Sequence, residues 1–185
     1  IPAIVGSITE NAGQNCYAGS RLVVEASIKD EVVERVVEAM RAVRIGPWDA
    51  DLDMGPLVNE AQYRRVLGFL EEAPREGARL LTGGGRAKGL PETGWYVEPT
   101  VFDDVDPGSR LYREEVFGPV LAVQAFTGTR QAVEMMNDTD FGLLACVWTN
   151  DVSRALRVAQ EVHSGQVTVN QFHDAGVIGF PFNMQ

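Results

Sequence analysis

Leu121-Ala122-Val123-Gln124-Ala125-Phe126, followed by Thr129 to Asn137, Leu143 to Thr149, Asp151 to Val162 and Gln166 to Asn170, is the stretch that decides the fold. Residues 121–126 are apolar at almost every position, as in a strand covered on both faces. Between Thr129 and Asn137, Ala132, Val133 and Met136 recur at helical spacing. Leu143 to Thr149 is apolar again, and its neighbours Leu144, Ala145, Val147 and Trp148 predict full burial of Cys146. Asn150 or Asp151 caps a second helix, Ser164-Gly165 ends it, and Gln166 to Asn170 forms the last strand. Strand, helix, strand, helix, strand calls for an α/β fold. The expected architecture is a largely parallel sheet with helices on both faces.

Upstream the same grammar continues. Pro2 to Ile8 reads as a short helix and Arg21 to Glu25 as a strand. Ser27, three residues before Asp30, resembles a capping box for a helix near Ile28 to Val43. That helix carries Val32, Val33, Val36, Val37 and Met40 on one side. Asn59, with Gln62 three residues on, caps a helix running to about Ala73 whose apolar side is Val66, Leu67 and Leu70. Gly77 to Thr82 is a short strand, and Trp95 to Phe102 an extended segment. Asp103 to Arg113 reads as a polar loop. Gly83-Gly84-Gly85 matches neither a dinucleotide fingerprint nor a phosphate loop and marks a turn. No linker, repeat or low-complexity tract divides the chain, so residues 1–185 read as one domain.

Composition bounds the partners. The 185 residues are 45% hydrophobic and 23% charged, as in a globular protein, with a net charge of -10 and no Lys/Arg cluster. That argues against a nucleic-acid footprint. No apolar run is long enough to span a bilayer, and no secretory leader stands at residue 1. Cys16 and Cys146 are too few for a disulfide scaffold, so a reducing cytoplasm is expected. His163 and His173 form no metal-ligand motif, and no metal is expected.

Two segments carry candidate chemistry. Gly13-Gln14-Asn15-Cys16-Tyr17-Ala18-Gly19-Ser20-Arg21 sets one cysteine between glycines just before a strand. A loop can aim a thiol into a cleft while the strand fixes it, and cysteine needs the least help of any side chain to become a nucleophile. A small buried hydrophobe is the competing reading. Glu114-Glu115-Val116-Phe117-Gly118-Pro119-Val120 sets two carboxylates and an aromatic before another strand. Surface glutamates beside a core phenylalanine compete with a crevice lining there.

With these two motifs the chain resembles the catalytic domain of the NAD(P)-dependent aldehyde dehydrogenase superfamily. Gly55-Pro56, Gly83-Gly84, Glu98-Pro99-Thr100, Phe141-Gly142, Val169-Asn170 and Pro181-Phe182 follow in the family's order, and the likeness covers residues 11–182. The resemblance implies oxidation of a small-molecule aldehyde to a carboxylate with NAD or NADP, through a thiohemiacetal and a thioester on Cys16. It implies cofactor contacts at Glu115, Phe117, Gln62 and Arg65. Asn170 supports the site by the same resemblance, and Phe172 and Phe182 line the substrate entrance. A homo-oligomer is implied for the full-length enzyme. The family's nucleotide-binding domain, general-base glutamate, oxyanion asparagine and cofactor lysine fall outside residues 1–185. The chain is therefore expected to be incomplete at both ends and, alone, weakly active or inactive. Glu10 and Glu115 are nearby carboxylates for the missing base, but Glu115 already has a cofactor role by the resemblance. Two alternatives stand beside this reading: a structural or regulatory fragment, and an acylating semialdehyde dehydrogenase in which a thiol replaces water.

Overall fold

A computed structural model describes residues 1–172. The chain opens with helix α1 (Pro2–Thr9) and reaches strand β1 (Arg21–Glu25) through the cysteine loop. Helix α2 (Lys29–Arg41), helix α3 (Glu60–Glu72), strand β2 (Arg79–Thr82), strand β3 (Thr100–Asp103) and helix α4 (Arg110–Arg113) follow. Strand β4 (Val120–Phe126), helix α5 (Thr129–Asn137), strand β5 (Leu144–Val147), helix α6 (Val152–Glu161) and strand β6 (Gln166–Val169) complete the order.

Four strands form a sheet in the order β1-β4-β3-β2, with β1 and β3 both parallel to β4 and β2 antiparallel at the edge. Alternate residues of the strands feed two cores. Val101, Leu121 and Val123 face α1 and α2, where Ile8, Val36 and Met40 are fully covered. Phe102, Val120 and Ala122 face α3 and α4, where Val66, Phe69 and Tyr112 close the other side. Helices therefore lie on both faces, as the apolar run at 121–126 requires. Among the described residues no helix is long and apolar enough to cross a membrane.

Several expectations are corrected. The strands do not form one sheet: β5 and β6 pair in parallel with each other in a separate two-stranded sheet. Both edges of β4 are taken by β1 and β3. Helix α5 packs on β1 and β4, and α6 packs on α5, β5 and β6. Cys146 on β5 is only half-buried, and its sulfur lies 3.2 Å from the Thr168 hydroxyl, which donates to the Gln171 carbonyl at 2.6 Å. Ser27 does not cap α2, because the chain leaves β1 through a 3-10 turn at Ala26–Ile28 that places Ile28 at the cap. The expected loop at 103–113 begins as the buried end of β3. It ends as α4, where the Ser109 hydroxyl accepts from the Tyr112 N–H.

Candidate active site

The cysteine loop is built by an abrupt change of hand. After α1, Asn11, Ala12 and Gly13 all adopt positive φ, of 50°, 54° and 71°. Two side-chain amides hold this bend, Asn11 Nδ2 donating to the Gln14 carbonyl at 3.1 Å and Gln14 Nε2 donating to the Asn11 carbonyl at 2.9 Å. Gln14 reaches further, its Oε1 accepting from the Val58 N–H at 2.9 Å. The Ala18 N–H then donates to the Asn15 carbonyl at 3.1 Å, which sets Cys16 in the middle of a turn. Its side chain is exposed, which removes the reading of a buried hydrophobe. Among the described residues the Cys16 N–H donates to no acceptor.

The second motif meets the first through backbone. A Cβ on Gly13 would stand 2.2 Å from the Gly118 carbonyl oxygen, so the two loops touch where neither has a side chain. Both precede parallel partners. Arg21 pairs with Ala122, and Cys16 precedes Arg21 by as many residues as Phe117 precedes Ala122. The site therefore lies at the amino ends of β1 and β4.

The structure places the remaining candidates around this junction. Glu115 is exposed, and its carboxylate makes no hydrogen bond or ion pair among the described residues. Phe117 is 36% exposed and sits at φ 57°, an uncommon conformation for a bulky residue. A hydrogen-bond acceptor beside an open aromatic face fits a ribose and a flat heterocycle. Gln62 and Arg65 both lie on α3, whose start is capped by Asn59 as expected, Oδ1 accepting from the Gln62 N–H at 2.9 Å. Their side chains turn toward the 115–117 backbone. Gln62 Nε2 donates to the Val116 and Phe117 carbonyls at 3.1 and 2.7 Å, and Arg65 Nη2 donates to the Glu115 carbonyl at 2.5 Å.

Phe172 comes back from the end of β6 to the cysteine loop. Its ring lies 6.3 Å from that of Tyr17, and a Cβ on Gly19 would be 3.8 Å from it. Asn170 ties the strand ends together, Oδ1 accepting from the Thr149 N–H and Nδ2 donating to its carbonyl, both at 2.9 Å. Phe182 lies outside the described residues. Glu10 accepts from the Tyr17 hydroxyl at 3.5 Å, and burial together with that carboxylate pushes the tyrosine up. No cluster of His, Cys, Asp or Glu suited to a metal occurs among the described residues. Gly13 and Gly118 belong to the two motifs, but no local signal in the sequence shows that they join the two loops, nor that Gln14 reaches Val58.

An exposed thiol on a left-handed bend, joined through backbone to the segment carrying Glu115 and Phe117 at the amino ends of parallel strands, sits in an α/β domain. Residues 1–183 match the model of the aldehyde dehydrogenase family, and the chain belongs to that family. It is 42% identical to retinal dehydrogenase 2 of Mus musculus, over 88% of this chain and 31% of that protein. It is 39% identical to hydroxyisobutyraldehyde dehydrogenase of Mycolicibacterium austroafricanum, over 93% and 34% respectively. A Staphylococcus aureus betaine aldehyde dehydrogenase solved in complex with NAD+ superposes with a TM-score of 0.89 at 34% identity, covering 93% of this chain and 34% of that one. A Burkholderia cenocepacia protein solved as an aldehyde dehydrogenase reaches 0.94 at 41% identity, covering 98% and 38%. The chain spans about a third of the length of these relatives.

Proposed function

We propose that this chain supplies the nucleophile and the nicotinamide-side contacts of an NAD(P)-dependent aldehyde dehydrogenase acting on a small aldehyde. The observation that carries the reading is the backbone contact of Gly13 with Gly118, which fixes the Cys16 loop against the Glu115–Phe117 segment. The relatives' names differ in substrate and share the aldehyde group.

The Cys16 thiolate adds to the carbonyl carbon, forming a C–S bond and placing negative charge on the oxygen. The Cys16 N–H, which has no acceptor among the described residues, donates to that oxygen in this reading, the kind of fixed dipole that lowers such barriers. NAD(P)+, when bound, would supply the acceptor for the hydride that the same carbon loses as its C=O bond re-forms. Glu115 accepts from ribose hydroxyls, and Phe117 offers its exposed face to the ring system. The thioester left on Cys16 is cleaved by water, which returns the thiol and releases the carboxylate. That last step needs a base. Glu10 is engaged with Tyr17, and no carboxylate or imidazole among the described residues bonds the Cys16 sulfur. We therefore expect residues 1–185 alone to form negligible NADH. The same reading carries a homo-oligomeric, cytoplasmic enzyme.

Aldehyde-dependent NADH formation by the whole protein tests the reading. Cys16→Ser should abolish it, and Cys146→Ser should leave it within about twofold. Unchanged turnover in Cys16→Ser overturns the assignment.

A further inference from the structure

The Gln62 side chain does not point outward from α3 toward a ligand. It spans from the helix to two consecutive carbonyls of the segment before β4, at 3.1 Å to Val116 and 2.7 Å to Phe117. Those carbonyls flank a residue the backbone does not favour, since Phe117 at φ 57° lacks the freedom of glycine. The amide has two hydrogens, and each has a carbonyl to meet. One turn further along α3, Arg65 holds the Glu115 carbonyl. One residue beyond that, Val66 fills the space against Gly118, where a Cβ would come within 2.6 Å of it. Positions 62, 65 and 66 therefore lie along one helix face and grip residues 115–118 by backbone alone.

We propose that Gln62 is a positioning residue. By donating to the Val116 and Phe117 carbonyls it holds Phe117 in the left-handed conformation. It thereby sets where the Phe117 ring and the Glu115 carboxylate meet the nicotinamide side of the nucleotide. The proposal rests on the reading of Glu115–Phe117 as the nucleotide contact. It replaces the direct ribose contact expected for Gln62 from the resemblance, because both amide hydrogens face the protein's own carbonyls.

Two substitutions separate the possibilities in the whole protein. Gln62→Met keeps the shape and removes the donor. Gln62→Glu keeps the length and turns a carboxylate on two carbonyls. A residue that touches ribose directly tolerates Glu, which accepts from hydroxyls, whereas a residue that donates to carbonyls does not. The measurements are NAD+ affinity by titration, melting temperature, and hydrogen exchange of the peptide covering 114–119 without nucleotide. Both variants should weaken NAD+ binding by about tenfold or more, Glu at least as much as Met, with faster exchange across 114–119. NAD+ affinity within about twofold of wild type in Gln62→Glu overturns the proposal. So does a lowered melting temperature with unchanged affinity in Gln62→Met. The parent reading fails separately, if Glu115→Gln and Phe117→Ala both leave NAD+ affinity unchanged. The exchange comparison then still judges whether Gln62 orders the segment.

Discussion

The bend that leads into Cys16 runs through three consecutive residues of positive φ. Asn11 tolerates positive φ through its short polar side chain, Ala12 bears a steric cost there, and Gly13 bears none. Gly13 has a second constraint, the Gly118 carbonyl where its Cβ would be. Gly13→Ala should therefore lower the unfolding free energy by about 2 kcal/mol or more, read by denaturant unfolding. It should also change the rate at which iodoacetamide labels Cys16, because the two loops would be forced apart. Gly6 is the control. It lies inside α1 with nothing within 4 Å of an added Cβ. Gly6→Ala should stabilise by about 0.5–1 kcal/mol and leave labelling unchanged. Equal losses at Gly13 and Gly6 would contradict the role given to the Gly13–Gly118 contact.

Helix α3 does two jobs, packing Val66, Phe69 and Leu70 into the core and presenting Gln62 and Arg65 to the site. Gly68 sits on its open side with room for a methyl group. Gly68→Ala should raise stability by about 1 kcal/mol without changing NAD+ affinity, measured by unfolding and titration on the same protein. The connection between α2 and α3 has its own clamp. Arg44 binds Asp53 through Nη2 at 2.7 Å and Nε at 3.0 Å, and its N–H donates to the same carboxylate at 2.8 Å. These bonds hold Asp53 at about 2, below its ordinary 3.8. A depressed carboxylate contributes order that is complete above the unfolded value and is lost as pH falls through the folded one. The turn should therefore loosen between about 3.8 and about 2. Trp48, 91% exposed within it, reports the change as a fall in fluorescence anisotropy. Asp53→Asn should lack that step.

These elements also show what was legible. Helix α5 and strand β1 run where apolar spacing puts them, and the Asn59 cap was readable from Asn59 and Gln62 alone. The two site motifs were readable too, but as separate strings. Their meeting depends on the β1–β4 pairing, a contact distant in sequence that no local pattern encodes. The four-residue α4 is too short to show a period. The left-handed Phe117 is held by α3 from across the fold, and nothing in Val116-Phe117-Gly118 announces it.

At the scale of the whole chain, the split into two sheets sets an order of stability. Strand β4 lies between two parallel partners and beneath helices on both faces, with Leu121 and Val123 fully covered. Among the described residues the smaller sheet has a single strand pair, and its buried cluster is Val133, Val158 and Val162. Around it Trp148, Val152, Leu156 and Val169 stand 54%, 72%, 60% and 41% exposed. Less apolar area is removed from water there, so the free energy opposing local opening is smaller. Arg21 links the two parts, its Nη2 donating to the Met135 carbonyl at 2.6 Å while its guanidinium lies 4.1 Å over the Tyr112 ring. Native-state hydrogen exchange on residues 1–185 should therefore show β4 opening only with global unfolding. The amides of β5 and β6 should exchange at least about tenfold faster, through sub-global opening. Arg21→Met, which keeps the stem and removes the donor, should widen that gap by accelerating β5 and β6 with little change at β4. Equal protection of β4 and β6 would mean that the chain opens as a single cooperative unit despite its two sheets.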